Sequence, residues 1–408
     1  MRLFILTFLI FGSSPTWAAP NGPGGATLSA RYFMTTFRLS GDAQLLLATS
    51  SDGATWQSSG NLYSDSRGMR DPSVIFTGGY YYVAYTILAF ASPTSNPLIG
   101  IARSADLLNW IHYTDVSFAA AGNVQVVWAP EWFIDTDGSI HLLASPAINP
   151  YPGSHSYGHD LFEVHPTSSD MLSWSAPVHI TGLPAPTSGP NEGNIDPFLV
   201  KKGGVYHLFF IRENLPYPLC LFKSDNLLGP YTPEKPLNTN WAGIGAGKEG
   251  ECVTQMTDGS WRIHYSAGSG AEQLAWVASY DDWATWTNPT YVACAEYLNH
   301  GTISSPGANT ADADGNGIPN LLQYALSSTR GFDMGQLPMA SVGTNGRLAL
   351  SFLRARSDVS YIIEGSYDLI TWNTESNNPG TVGQRVTFSD TAPLTTQRRL
   401  LRLRVTDP

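Results

Sequence analysis

A phrase that joins an acidic turn to an aromatic residue returns five times, and it constrains the fold more than any other feature of the sequence. Its copies lie at residues 51–56, 104–110, 168–174, 223–231 and 279–286. Their aromatic ends, Trp56, Trp110, Trp174, Tyr231 and Trp286, are 54 to 64 residues apart. A unit of this length that is built from short strands is typical of the blade of a β-propeller.

The beginnings of the repeats also resemble one another. In each, an acidic residue stands by an apolar strand, a tight turn follows, and a second strand returns. These openings lie at residues 69–74, 128–131, 194–199 and 248–253. The first closing phrase, at Trp56, has no opening before it, and the last opening, at His300, has no closing phrase after it within the same domain. Together they would form one complete blade, which predicts a closed ring of five.

The composition agrees with an all-β chain. The 408 residues include 39 glycines and 28 prolines, and 42% of them are hydrophobic, which suffices for one large and one small domain. The net charge of -11 argues against a nucleic-acid partner, because such binding depends on clustered Lys and Arg. We predict a five-bladed β-propeller over residues 20–305, followed by a small C-terminal β-sandwich-like module over residues 331–408.

Residues 1–19 are predicted to be a secretory signal peptide. Arg2 precedes an apolar run that is too short to span a bilayer, and small residues follow it. Cleavage is expected after Ala18 or Ala19, which would make the mature protein extracellular or periplasmic. No other segment is long enough for a membrane span.

The three cysteines, Cys220, Cys252 and Cys294, can form at most one disulfide. They lack the spacing of a metal site, so buried and unreactive thiols are expected.

Residues 306–330 form an Asp/Gly-rich linker with the oxygen spacing of a twelve-residue calcium loop. The expected ligands of a structural calcium are Asp312, Asp314, Asn316, Asn320 and Gln323. Gln323 stands where a bidentate Glu is expected, which would weaken binding. A linker that binds nothing is the alternative.

The opening residues of the blades are the candidates for chemistry, because the first strand of every blade lines the central channel. They are Asp71, Glu131, Asp196, Glu249 or Glu251, and His300. Several carboxylates in one pocket raise the pKa of at least one of them, which keeps that acid protonated near neutrality. Glycoside hydrolysis needs this division of labour, since one carboxylate takes a proton from water and another donates one. A turn at the start of a strand is the simpler interpretation of a single Asp-Pro.

On these motifs, residues 30–305 resemble the five-bladed glycoside hydrolases of family 43. The motifs are Arg70-Asp71-Pro72, Trp128-Ala129-Pro130-Glu131, Ile195-Asp196-Pro197 and His300-Gly301-Thr302. The resemblance implies that Asp71 is the general base, that Asp196 orients the acid and tunes its pKa, and that Glu249 is the general acid. It implies an inverting α-L-arabinofuranosidase, β-xylosidase or exo-galactanase that acts on plant or algal polysaccharides without a cofactor for the chemistry. The C-terminal module resembles accessory modules of secreted bacterial enzymes.

One departure from the family concerns the acid. The family has Glu-Gly-Pro where this chain has Glu249-Gly250-Glu251. Counting back from the turn at Asp258-Gly259 puts Glu251 level with Asp71 and Asp196, whereas the Glu-Gly dipeptide favours Glu249. Two residues apart on a strand, both glutamates are expected on the same face. Glu249 is the preferred acid, and Glu251 is the alternative.

Substrate binding is expected from Glu131 and His300 in the pocket and from the rings of Trp128, Trp132 and Trp241, which could stack on a sugar face. Many relatives hold a calcium near the corresponding histidine, so the resemblance also implies a cation near His300. Hydrogen-bonded packing is the alternative for this residue.

Two other functions stay open. Retaining fructan-cleaving enzymes share the Arg-Asp-Pro and Glu-Cys motifs, found here at Arg70-Asp71-Pro72 and Glu251-Cys252. In this chain Arg-Asp-Pro lies in the first blade rather than the third, which argues against them. The other possibility is a carbohydrate-binding propeller without catalysis, with the C-terminal module as an adhesive or anchoring part.

Overall fold

A computed structural model describes the chain in segments. The described residues are 32–37, 44–50, 52–77, 80–88, 96–104, 107, 109–135, 139–149, 158–186, 192–256, 259–267, 273–294, 298–304, 322, 325–326, 334–343, 346–357, 359–368, 371–392 and 399–406. The predicted signal peptide and the five expected calcium ligands lie outside them. Within them almost all regular structure is β, and no helix is long and apolar enough to cross a bilayer.

The chain divides into two compact units. The larger comprises Tyr32–Phe76 and Tyr80–Ser304, and the other includes Ser305–Pro408. The larger unit is a propeller of five blades. We number the blades I to V along the chain, and blade I is the one whose first strand follows Tyr63. The prediction of an all-β, five-bladed propeller is confirmed.

Blade V closes the ring with strands from both ends of the unit. Its sheet runs in the order β22 (Thr302–Ser304), β1 (Tyr32–Phe37), β2 (Leu45–Ser50) and β3 (Thr55–Tyr63). Strands β1 and β22 pair antiparallel, with Phe33 opposite Ser304 and Thr35 opposite Thr302. The hydroxyl of Thr36 adds a 2.6 Å hydrogen bond to the carbonyl oxygen of Asn299. The closure predicted from the unmatched phrase at Trp56 and the unmatched opening at His300 therefore has a direct structural counterpart.

The other four blades each arise from one continuous stretch of chain. Blade I contains β4 (Met69–Thr77), β5 (Tyr80–Ile87), β6 (Leu98–Ser104) and β7 (Trp110–Ser117). Blade II contains β8 (Val124–Ile134), β9 (Ile140–Ile148), β11 (Phe162–Val164) and β12 (Val178–His179). Blade III contains β13 (Glu192–Lys202), β14 (Val205–Arg212), β15 (Leu219–Ser224) and β16 (Thr232–Pro233). Blade IV contains β17 (Glu249–Gln255), β18 (Trp261–Ser266), β19 (Leu274–Ser279) and β20 (Thr290–Tyr291).

Two short strands join neighbouring blades. Strand β10 (Gly158–His159) pairs antiparallel with β9 of blade II and parallel with β13 of blade III. Strand β21 (Ala293–Cys294), which follows blade IV, pairs parallel with β3 of blade V. These pairings cover strand edges that would otherwise be exposed, which helps to keep the edges from pairing with other chains.

The blades pack face to face, with one hydrophobic cluster at each of the five interfaces. Each cluster contains residues from both blades of its interface. Examples are Ile99 and Leu142 between blades I and II, Leu143 and Leu208 between II and III, Phe209 and Ile263 between III and IV, Cys252 and Met34 between IV and V, and Leu47 and Val83 between V and I. Every sheet is thus buried on both faces, which explains why its strands read as nearly continuous apolar runs.

The closing phrases owe their Ser-x-Asp pattern to a turn that is held by its own side chains. The hydroxyl of Ser50 donates to Oδ1 of Asp52 over 3.0 Å, and the same oxygen accepts from the backbone amide of Thr55 over 2.7 Å. Residues 279–285 form a similar turn, and residues 366–371 repeat it outside the propeller. The phrase therefore specifies a local turn that both units use.

The smaller unit contains a sandwich of two three-stranded sheets, as its alternating sequence predicts. One sheet contains β23 (Met339–Val342), β24 (Leu348–Arg354) and β27 (Gln384–Ser389). The other contains β26 (Asn373–Asn377), β25 (Ser360–Ser366) and β28 (Leu400–Thr406). The two sheets bury a common core that includes Leu350, Phe352, Tyr361 and Ile363.

None of the three cysteines is in a disulfide. Burial raises the pKa of the Cys220 and Cys252 thiols to about 12, so both stay protonated and unreactive.

Candidate active site

The first strands of blades I to IV share a kink that brings one residue into the left-handed backbone region. Asp71, Ala129, Asp196 and Gly250 have φ angles of 49°, 46°, 53° and 69°. In β8, β13 and β17 the pairing with the second strand shifts register at this point, as in a β-bulge. The four residues therefore occupy equivalent positions. Such backbone is costly for residues other than glycine, and strain of this kind clusters at functional sites.

This register corrects the count along blade IV. Gly250, rather than Glu251, occupies the position equivalent to Asp71 and Asp196. The assignment of Glu251 to that position by counting back from the turn is therefore wrong. The reason is the longer hairpin of blade IV, where five residues separate the paired Gln255 and Trp261, against two between Lys202 and Val205 in blade III.

Asp71 is held by two neighbours. Its Oδ2 accepts a 2.8 Å hydrogen bond from the hydroxyl of Thr86, and its Oδ1 lies 3.4 Å from Nδ1 of His300. The Thr86 oxygen in turn accepts a 2.8 Å bond from the amide of Ala129 in blade II. Burial opposes the charge on Asp71, but the His300 contact and the Thr86 bond outweigh it and lower the pKa of the carboxyl. Asp71 is thus ionised at neutral pH and able to accept a proton.

Asp196 stands at the same position in blade III, yet its pKa moves the other way. Its side chain is buried, and Oδ2 accepts a 2.9 Å bond from the amide of Gly250. Burial raises the pKa of Asp196 to about 7; the charges of Glu249 and Asp71 add to this rise, and that of His300 opposes it. Two equivalent aspartates therefore have pKa values shifted in opposite directions, as in sites that divide acid and base roles.

His300 supplies a positive charge to the site. Burial disfavours its protonated form, but the charges of Asp196 and Asp71 and the Asp71 hydrogen bond raise its pKa to about 10. The imidazole packs over Gly250, where an added Cβ would lie 2.7 Å from Cγ of His300. Space therefore requires glycine at position 250, and the φ of 69° favours glycine as well.

A calcium ion does not fit His300 as a ligand. Calcium takes oxygen ligands, and an imidazole offers only nitrogen. The imidazolium of His300 itself balances the nearby carboxylates, so the chemistry proposed below uses no metal at this position.

The two glutamates of blade IV differ sharply in environment, because the bulge at Gly250 interrupts the alternation of the strand. The expectation that they share a face is therefore wrong. Glu249 is exposed, and its charge is close enough to raise the pKa of Asp196. Glu251 is 2% exposed, and neither of its carboxylate oxygens has a hydrogen-bond partner among the described residues. Burial and the charge of Asp196 raise the pKa of Glu251 well above its ordinary value, so it is a neutral acid beneath the surface.

Glu131 is not a pocket-lining residue, contrary to the sequence prediction. It is 7% exposed, and its Oε2 accepts a 2.8 Å bond from the hydroxyl of Thr302, which links blades II and V. Burial raises the pKa of Glu131 to about 8, although Thr302, Ser73 and His300 oppose the rise. The residue is a buried link between blades that lies too deep to touch a substrate.

The three tryptophans predicted to stack on sugar differ in position. Trp128 is half-buried and stacks on His159, with ring centroids 4.2 Å apart. Trp132 is 6% exposed and packs against Trp174 inside the I/II cluster, so its predicted role in sugar stacking is wrong.

Trp241 is half-buried. Its indole nitrogen donates to the carbonyl oxygen of Leu219 over 3.0 Å, and its ring packs against Phe209 and Trp286. These contacts assign most of the ring to packing within the propeller.

Sequence reasoning missed Thr86 and Ala129, which connect the general-base candidate to the next blade. One signal was available, because Ala129-Pro130 aligns with Asp71-Pro72 and Asp196-Pro197 in the repeat. Thr86 gave a weaker signal, as the one Thr in the apolar and aromatic strand β5.

No protein-family model matches the chain, and no curated protein matches it in sequence. Its structure is similar to that of an endo-1,4-β-xylanase from Bacteroides thetaiotaomicron, with a TM-score of 0.48, 18% identity, and coverage of 66% of this chain and 98% of that one. It is also similar to that of an arabinanase from Bacillus subtilis, with a TM-score of 0.43, 17% identity, and coverage of 64% of this chain and 90% of that one. A third similar structure is that of a xylan β-1,4-xylosidase from Bacillus halodurans, with a TM-score of 0.43, 14% identity, and coverage of 83% of this chain and 73% of that one. At these identities the likeness is one of fold alone.

Proposed function

We propose that this protein is an exported, inverting glycoside hydrolase that uses Asp71 as general base, Asp196 as a positioning and tuning residue, and Glu249 as general acid. The observation that carries the proposal is the pair of aspartates at equivalent blade positions. One is kept ionised by His300, whereas the pKa of the other is raised to about 7. Sites that combine acid and base chemistry keep the pKa values of their carboxyl groups apart in this way.

In the proposed reaction, Asp71 removes a proton from a water molecule as that water attacks the anomeric carbon. Glu249 donates a proton to the glycosidic oxygen, the bond from that oxygen to the anomeric carbon breaks, and the new hydroxyl lies on the opposite face of the sugar. After the products leave, Asp71 releases its proton to solvent and Glu249 takes up a proton from solvent.

Exposure favours Glu249 over Glu251 as the acid. A general acid must come within hydrogen-bonding distance of the leaving oxygen. Glu249 is exposed, whereas Glu251 is 2% exposed. Glu251 instead adds a buried neutral carboxyl close to Asp196 and His300.

The proposed substrates are α-L-arabinofuranosides, β-xylosides or β-galactosides at the ends or side chains of plant or algal polysaccharides. This choice rests on the resemblance of the four blade motifs to family 43. The net charge of -11 is consistent with a neutral polysaccharide.

The first test is hydrolysis of nitrophenyl α-L-arabinofuranoside, β-D-xyloside and β-D-galactoside, with the anomer of the product identified by NMR. Glu249→Gln should lose turnover by roughly 10² to 10⁴-fold, the range for a general acid. Glu251→Gln is the matched control and should retain most activity. The opposite pattern would make Glu251 the acid, and a retained anomer would overturn the inverting mechanism.

Asp71→Asn separates an enzyme from a carbohydrate-binding propeller. The variant should lose turnover by a similar factor while calorimetry still detects sugar binding. Exposed Asp225→Asn serves as the control. Binding of a sugar by the wild type without turnover on any of these glycosides or on natural polysaccharides would favour the binding protein instead.

A further inference from the structure

Three side chains with metal-binding atoms meet on blade II. His141 lies in β9, Glu163 lies in β11, and His165 directly follows β11. Oε1 of Glu163 lies 2.6 Å from Nδ1 of His141 and 3.1 Å from Nδ1 of His165. One donor atom from each of the three lies within 4.8 Å of those of the other two.

The pairing of two strands produces this cluster. Strands β9 and β11 are antiparallel, with Glu163 opposite Leu143 and Val164 opposite Leu142. One more step of this register places His165 opposite His141. Glu163 and His165 are two residues apart, so their side chains leave the same face of the strand.

The cluster is separate from the proposed active site. His141 pairs with Phe133 near the β8–β9 hairpin, whereas the bulge after Trp128 lies toward the other end of β8. No residue of the cluster has a part in the proposed hydrolysis.

We infer that His141, Glu163 and His165 form a binding site for Zn²⁺. Two imidazole nitrogens and one carboxylate oxygen are a known set of zinc ligands, with bonds of about 2.0 to 2.2 Å. Tetrahedral bonds of this length place ligand atoms about 3.3 Å apart. The two separations from Oε1 of Glu163, 2.6 and 3.1 Å, differ from this value by less than an ångström.

The surroundings prepare the two histidines for this role. Nε2 of His141 lies 2.9 Å from the hydroxyl of Ser139, whose oxygen can accept a hydrogen bond from Nε2–H and so leave the lone pair of Nδ1 for the metal. The backbone amide of His165 donates to the hydroxyl of Ser175 over 3.0 Å, which fixes the start of that side chain. Partners of this kind orient the ligands of natural metal sites.

Burial supplies the driving force and exposure supplies access. Glu163 is 1% exposed, and a buried carboxylate needs a compensating positive charge. The side chain of His165 is 45% exposed, so an ion can enter and take water as its fourth ligand. Calcium is disfavoured because two of the three donors are nitrogens. The bound ion would link the second and third strands of blade II.

Zinc titration of the full, untagged chain by calorimetry tests this inference. The wild type should bind one equivalent, and His141→Gln and His165→Gln should each weaken binding by about tenfold or more. His179→Gln is the matched control, because His179 is 42% exposed in the same blade and pairs with a buried carboxylate, Asp160, at 2.8 Å. It should bind zinc as the wild type does. Asp71→Asn should do so too, which separates this site from the proposed glycosidase.

Cobalt(II) provides a second measurement that does not depend on the variants folding. Four-coordinate cobalt absorbs visible light far more strongly than the six-coordinate ion, so a strong band that zinc abolishes is the expected result. Weak octahedral bands, an absence of saturable zinc binding, or equal affinity in the wild type and both histidine variants would overturn the inference. In that case the three residues form only an ion-paired cluster.

Discussion

Nδ1 of His300 lies 3.4 Å from Oδ1 of Asp71, and this contact joins the segment that precedes the ring-closing strand to the first strand of blade I. The pKa of His300 is raised to about 10, so the contact is a charged one throughout the neutral range. In the proposed mechanism it keeps the base ionised and fixes one of its two oxygens.

Replacing His300 should therefore move the pH dependence of catalysis. His300→Gln removes the charge that lowers the pKa of Asp71, so that pKa should rise, by roughly one to three units. A base works only when deprotonated, so the acid limb of kcat/KM should shift to higher pH by the same amount. His112→Gln, an exposed histidine beside Asp115, is the control. An unshifted limb in His300→Gln would remove His300 from the mechanism.

Thr86 should position the base through its hydroxyl. Thr86→Val removes the bond to Asp71 and leaves the amide of Ala129 without its acceptor, which costs about 1 to 3 kcal/mol of unfolding free energy. The acid limb of kcat/KM should also move to higher pH, because the Thr86 bond helps to lower the pKa of Asp71. Thr86→Ser keeps the hydroxyl and should recover both properties. A loss of stability with an unchanged pH profile would limit Thr86 to a structural part.

Glu131 should make the protein less stable as the pH rises. Its folded pKa of about 8 exceeds the ordinary 4.5, so the folded state binds the proton more tightly than the unfolded state. The free energy of unfolding should then fall between pH 4.5 and about 8, with a contribution from Glu131 of about 1.4 kcal/mol per pH unit.

Glu131→Gln cannot titrate, so its plot of unfolding free energy against pH should be flatter by that slope. Urea unfolding at several pH values in this range measures it. Asp225 is exposed, and Asp225→Asn should keep the wild-type slope. Parallel plots for the wild type and Glu131→Gln would show that Glu131 is not the buried neutral acid described above.

Gly250→Ala should disturb His300. The new Cβ would lie 2.7 Å from Cγ of His300, and a φ of 69° is strained for alanine, so the cost should be about 1 kcal/mol or more. Gly203→Ala is a matched control, because Gly203 has a φ of 60° and open space around its Cβ position. Thermal melting and the pH profile together check this. If the two variants melt alike and keep the wild-type profile, the contact with His300 has no effect.

Much of the fold could be predicted because its signals are local. The Ser-x-Asp turns hold themselves through side chains two to four residues apart, and the hairpins follow from short turn motifs. The unmatched phrase and opening at the two ends of the repeat array were enough to predict ring closure.

The environments of the site residues could not be predicted, because they depend on contacts between distant blades. Glu131 is buried by a partner 171 residues away, Thr302, and no local pattern reveals that pairing. Likewise, the different exposure of Glu249 and Glu251 follows from a bulge whose position depends on the length of the next hairpin. Regular alternation along the strand hides such an insertion.

The ring is closed by a strand of only three residues, β22, which directly follows the segment that carries His300. Detaching that strand from β1 would leave the other four sheets intact, yet Asp71 would lose the charge of His300 and Glu131 would lose the hydroxyl of Thr302. Local opening of this kind costs less free energy than global unfolding. On heating, loss of activity should therefore precede the melting of the blades, and activity should be the most sensitive measure of whether the ring is closed.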